Sequence, residues 1–234
     1  MKPAKSNTKS IQQWREALLA ANSGGTTELH WALRYDTKVV IPAGVLTKDM
    51  LLISDTFGRR PIDFAARYRK LDRIPRELLD IEVLASSKGA KKGPDYWELS
   101  RSSGLRPLAI HTAAEYGSLY QIEPQLLIET LLIPTDNSND FCKYTGLHYA
   151  ADNGHFCQVP RQLITSENLL LETEDHKTVL HILAKRHSLN EILGTELPDT
   201  CKPIVGNDWW ETNSQILKSK ENLAELDSQE VEIF

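Results

Sequence analysis

The sequence predicts an all-α fold, a solenoid of about five helical repeats with helical caps at both ends, and three observations predict it. First, one phrase recurs: TELHWAL at 27–33, RPIDFAA at 60–66, LAIHTAA at 108–114, TGLHYAA at 145–151 and TVLHILA at 178–184. Its anchor position holds His30, Asp63, His111, His148 and His181, spaced by 33, 48, 37 and 33 residues. Second, an aliphatic β-branched residue follows every anchor by eleven: Ile41, Ile74, Ile122, Val159 and Ile192. Third, a proline comes next (Pro42, Pro75, Pro124, Pro160), and then an apolar pair, Val45-Leu46, Leu78-Leu79, Leu126-Leu127 and Leu163-Ile164. Self-similarity at a period of a few tens of residues marks units that bury their apolar faces only against one another.

Taken in order, residues 1–25 form an N-terminal tail and capping helix. SIQQWREALLAAN at 10–22 has helical periodicity, with Ile11, Trp14, Leu18 and Leu19 on one side, and Ser23-Gly24-Gly25 breaks it. Five repeats fill 26–197, at about 26–57, 58–104, 105–142, 143–175 and 176–197. Each opens with a first helix whose anchor imidazole can bond the preceding threonine or a neighbouring backbone group, satisfying donors that a helix start leaves orphaned. Asp63 is a capping variant of that anchor. The alanine pairs 65–66, 113–114 and 150–151 let neighbouring repeats approach closely. Gly117 and Gly154 end first helices, where positive φ suits glycine. A second helix should start at each proline and be short. Thr47 and Thr165 read as N-caps of a further short turn. The 48-residue spacing places an insertion at 84–104, with Asp95-Tyr96-Trp97-Glu98-Leu99 at its centre; it reads as a surface loop folded back on the stack, or as a binding element. Residues 198–226 close the array, with Trp209 and Trp210 packed on the last repeat, and 227–234 form an acidic tail.

The T-x-L-H-x-A-A phrase, with Gly or its substitute six residues past the anchor, resembles the ankyrin repeat over 26–197, whose period is about 33 residues and whose signature is T-P-L-H-x-A. The chain departs from that family in the proline of the second helix and in lacking a Gly-Ala-Asp/Asn hairpin tip. The resemblance implies a concave surface lined by first helices, with the residues four and five after each anchor pointing into it: Arg34 and Tyr35, Arg67 and Tyr68, Glu115 and Tyr116, Asp152 and Asn153, Lys185 and Arg186. Tyr and Arg dominate interface hot spots, so this stripe is expected to bind a protein partner. The competing reading is an inter-repeat aromatic ladder that serves stability. Trp31, Phe64 and Tyr149 either extend the surface or belong to the core.

Other function classes find less support. With 27 basic against 32 acidic residues the chain lacks the basic excess of a general nucleic-acid binder, and its dense basic run, 88–92, reads as a loop. No stretch approaches the roughly 18 apolar residues of a membrane helix. Three cysteines, Cys142, Cys157 and Cys201, make a poor disulfide framework and suit a reducing, cytoplasmic setting. The expected state is a monomer. Cys142, His148, His155 and Cys157 include metal-ligand types, yet their spacing matches no usual zinc pattern. No phosphate loop, nucleophile elbow or H-E-x-x-H is present, so neither catalysis nor a cofactor is expected. An enzyme or metal protein using 142–157 is the alternative class. A third is an adaptor acting through the C-terminal QEVEIF peptide, by strand addition to a partner or as a degenerate match to a bacterial sliding-clamp-binding peptide.

Overall fold

The structure, a computed structural model, describes residues 9–35, 40–87, 108–135, 144–173 and 175–230, with side chains as far as Lys218. Among the described residues the chain is all-helical, and extended pairing is limited to isolated bridges, Ala21 with Thr27, Pro134 with Thr145 and Glu172 with Thr178.

The first helix, α1 (Ile11–Leu19), starts in a capping box: Gln13 N–H donates to Ser10 Oγ and Ser10 N–H to Gln13 Oε1. Leu18 is buried and Trp14 packs against the core, but Ile11 is 51 % exposed, so the first turn leaves the expected apolar side. Arg15 ties the helix to the first repeat by donating to the carbonyls of Val45 and Gly44.

Beyond α1, five helices that carry the anchors pack in chain order. These are α2 (Glu28–Arg34), α4 (Pro61–Arg67), α6 (Ala109–Tyr116), α8 (Gly146–Asn153) and α10 (Val179–Lys185), each against the next. Ala65, Ala66, Ala113, Ala114, Ala150 and Ala151 lie fully buried along this row, as close helix approach requires. Four more helices form a second layer: α3 (Lys48–Leu52), α5 (Ile81–Leu84), α7 (Pro124–Thr130) and α9 (Ser166–Leu169).

That second layer corrects the expectation of a helix beginning at every proline. Among the prolines eleven to thirteen residues past an anchor, Pro124 is the one at a first helical position. Pro75 and Pro160 stay extended, with ψ near 134° and 135°, and precede one-turn 3-10 segments (Arg76–Leu78 and Arg161–Leu163). The reason lies five residues past the proline. There Thr47, Asp80 and Thr165 accept the backbone N–H of Met50, Val83 and Asn168, each starting a new helix. The third repeat has Glu129 at that place, so α7 runs straight through.

The starts of the first helices share one polar arrangement. The N–H of Thr27, Leu108, Thr145 and Thr178 donates to Nδ1 of His30, His111, His148 and His181, at 3.0, 3.1, 3.2 and 3.3 Å. Three threonine hydroxyls reach the same nitrogen. An Nδ1 that accepts leaves the proton on Nε2, which donates to a carbonyl in the chain returning toward the next repeat: Arg59 at 3.0 Å, Ile133 at 2.8 Å and Leu171 at 3.0 Å. The imidazoles of His30, His111 and His148 thus each cap their own helix and grip the neighbour.

In the second repeat Arg60 and Asp63 divide this task. Asp63 Oδ2 accepts the Arg60 N–H at 3.0 Å, and the guanidinium meets both carboxylate oxygens, at 2.9 and 2.7 Å. Arg60 Nη1 then donates to the Ser86 carbonyl. Both side chains are 0 % exposed. Leu84 is core and Ser86 is the receiving carbonyl, so 84–87 belong to the second repeat rather than to the insertion; the remainder of 84–104, including Trp97, lies outside the described residues.

First helices end in left-handed residues six past the anchor: Arg69, Gly117, Gly154 and His187, at φ 58°, 70°, 76° and 57°. Gly117 carries a second constraint, since a Cβ there would lie 2.7 Å from the ring of His155.

At the far end lie α11 (Lys202–Val205) and α12 (Asn207–Glu230). Trp209 is buried, with its indole N–H on the Leu189 carbonyl, and Trp210 packs against the core. Asn213, also buried, accepts Gly194 N–H and donates to Thr195 O. The closing helix extends to Glu230, so 227–230 are helical and not an extended tail; Val231 to Phe234 lie outside the described residues.

Two predictions follow from these caps. Asp63→Ala buries the Arg60 guanidinium without its counter-charge, and should cost about 3–5 kcal/mol in urea unfolding. The double variant Arg60→Thr/Asp63→His installs the cap of the other repeats and should recover most of that loss; equal losses in the two variants would contradict the shared role. Separately, His187→Gly relieves a left-handed backbone and should add about 1 kcal/mol of stability, read as a raised melting temperature.

Candidate functional site

Ten residues of the first-helix ends were expected to share a surface, and most of them are brought together. Arg34 stands with its guanidinium carbon 5.5, 5.2 and 5.3 Å from the ring centroids of Trp31, Tyr35 and Tyr68. Trp31 and Tyr35 are stacked, at 5.9 Å and 16°. One helix further, Arg67 lies 5.9 Å from Tyr68 and 4.6 Å from Tyr116. Two helices beyond, Arg186 reaches back to Asp152 at 3.1 Å. Three of these links, Arg34 to Tyr68, Arg67 to Tyr116 and Arg186 to Asp152, join one repeat to the next, which is the ladder reading. Each cation–π contact at such a half-exposed position contributes about 0.5–1 kcal/mol. The same side chains stay accessible: Tyr35 is 52 % exposed and Arg34, Arg67, Tyr68, Glu115 and Tyr116 are half-buried. Ladder and surface are therefore one object.

The remaining members differ. Asn153 spends its amide on the Tyr149 carbonyl of its own helix, and Lys185 is simply exposed. Of the three uncertain aromatics, Phe64 and Tyr149 are buried while Trp31 is half-buried and extends the surface.

Electrostatics change along this face. Burial pushes the Glu115 carboxyl above its ordinary range, against the pull of Arg67 and of the Tyr116 hydroxyl. Burial, with Glu115 alongside, pushes Tyr116 up to about 12, so the phenol stays protonated. Two arginines were missed by the sequence reading. Arg73 donates to the carbonyls of Ala32 and Tyr35 at the end of α2, both at 3.1 Å, and Arg69 donates to Tyr116 O at the end of α6. Local sequence carried no signal for these contacts: both arginines follow α4, yet they serve the ends of α2 and α6, a pairing set by how the helices stack.

Histidines and cysteines form a different picture. His148 has both ring nitrogens committed to Thr145 and Leu171, and His155 packs its ring on Gly117. Cys157 is exposed, and Cys142 lies outside the described residues. Among the described residues no three His, Cys, Asp or Glu side chains are grouped to hold a metal ion. A cavity of about 460 Å³ between the fourth and fifth repeats is lined by Arg161, Ile164, Thr165, Ser166 and residues 193–196, with neither histidine nor cysteine in its wall. No helix of the described residues is long and apolar enough to cross a membrane.

The chain matches no protein-family model, and a search of curated proteins finds no match.

Burial depresses the anchor imidazoles. His30 is lowered, and His111 and His148 fall to about 4, in each case chiefly by desolvation. Free histidine titrates near 6.5. Between about 4 and 6.5 the unfolded chain therefore binds protons that the folded chain refuses. The stability held by these neutral rings is complete above pH 6.5 and is lost as pH falls toward 4, at about 3 kcal/mol for each of His111 and His148. Urea midpoints should fall steeply over that window. A flat profile from pH 7 to 4.5 would contradict the neutral-cap assignment.

Proposed function

We propose that the chain is a divergent ankyrin-like solenoid whose work is to bind a protein partner, without catalysis, through the face that runs from Arg34 and Tyr35 to Lys185 and Arg186. The observation that carries this reading is the accessible Arg–Tyr ladder. Aromatic rings and guanidiniums concentrate along one line that crosses successive helices, and rings held in place by stacking lose little side-chain entropy on contact with a partner. The repeated helix-start cap and the chain-order packing of α2, α4, α6, α8 and α10 support the ankyrin-like assignment. In such an array the ladder lies on the concave side. A monomeric, cytoplasmic module is the setting this proposal assumes.

The test is affinity capture from lysate of the source cell. The intact chain serves as bait beside an Arg34/Tyr35/Arg67/Tyr68→Ala version whose circular dichroism shows it folded. A protein captured by the first and lost from the second is the expected result. A protein retained equally by both would move binding off this face, to the insertion or to the C-terminal peptide.

A further inference from the structure

The arginines near this face differ in how their donors are used. Arg186 is paired with Asp152, Arg73 is on two backbone carbonyls, and Arg69 is on the Tyr116 carbonyl. Arg34 stands apart. Among the described residues its only interactions are contacts of the guanidinium with the rings of Trp31, Tyr35 and Tyr68. Ring contacts give the N–H groups no oxygen to bond. The fold thus holds a planar fork of donors among three rings, with no hydrogen-bond acceptor for it among the described residues.

Such a fork matches a carboxylate bidentately, and its stacked, pre-ordered state lowers the cost of forming those bonds. The surroundings favour one negative charge. Arg73 brings a second cation to the end of α2, while among the described residues the acids of the face lie further along, Glu115 beside Arg67 and Asp152 against Arg186. One uncommitted guanidinium answers a single carboxylate; phosphoryl groups are usually met by clusters of arginines. Beside it the half-exposed ring of Tyr35 gives an apolar neighbour a surface to cover.

We infer that Arg34, seated on Trp31, Tyr35 and Tyr68, reads an aspartate or glutamate side chain in a peptide segment of the partner, next to an apolar or aromatic residue that covers Tyr35. The inference rests on the proposed binding face and names what that face selects.

A random peptide library displayed on phage, selected against the intact chain, provides the probes, and fluorescence anisotropy measures each selected peptide. Enriched sequences should carry Asp or Glu beside an aromatic or aliphatic residue. Changing that acid to its amide should weaken binding about tenfold. Arg34→Ala should do the same, and so should Arg34→Lys, which keeps the charge and the fold but loses the planar fork. The two losses should not add in a double-mutant cycle. Arg76→Ala, whose side chain pairs with Glu123, should leave binding unchanged. Neutral peptides that tolerate Arg34→Lys but lose binding with Tyr35→Ala would overturn the carboxylate reading and leave the face as a binding surface. Peptides indifferent to all of these changes, or a library that yields no binder, would overturn both.

Discussion

Every first helix but one in this molecule begins with an imidazole whose Nδ1 accepts a hydrogen bond from a backbone N–H, and three of these rings donate from Nε2 to a neighbour's backbone carbonyl. Because both nitrogens are used at His30, His111 and His148, the ring can be buried fully without an unsatisfied polar group. Because the receiving carbonyl belongs to the chain entering the next repeat, one side chain joins helix capping to inter-repeat register. At the end of the row, His181 is exposed: it caps its own helix through Thr178, and α10 is the last of the anchor-bearing helices. The cost of the arrangement is sensitivity to protonation, since a second ring proton has no acceptor and displaces the cap.

The second repeat reaches the same end with charged groups. Arg60 and Asp63 are wholly buried, yet the carboxylate satisfies the helix start and the guanidinium passes a hydrogen bond to Ser86. A buried ion pair is a poor source of net stability, and here its use is positional. It holds the carbonyl just before the insertion in the place where an imidazole elsewhere holds Arg59, Ile133 or Leu171.

Packing of the first helices also creates the candidate face. Small residues on the buried side bring neighbouring helices close, and that closeness lets Arg34 reach Tyr68 and Arg67 reach Tyr116 across repeats. Contacts that steady the stack therefore pre-order the same rings that a partner would meet. Under the proposed function, stability and recognition are coupled along this line, and substitutions there act on both.

Much of this was legible in the sequence, because the anchor, its eleven-residue offset and the threonine caps are local patterns whose partners lie a few residues away. The helix starts, the left-handed sixth residue after the anchor and the caps at Thr47 and Thr165 are all of that kind. What tertiary structure decided depends on register between distant segments. Whether a proline leads into a helix or a single turn was settled by a capping residue five positions on; Ile11 faces solvent because only the later turns of α1 meet the first repeat; Leu84 and Ser86 left the insertion because Leu84 is core and Arg60 holds the Ser86 carbonyl. The choice between ladder and surface could not be read from spacing at all, since stacking of Arg34 on Tyr68 is a contact between side chains 34 residues apart, set by how two helices slide past each other and not by either helix alone.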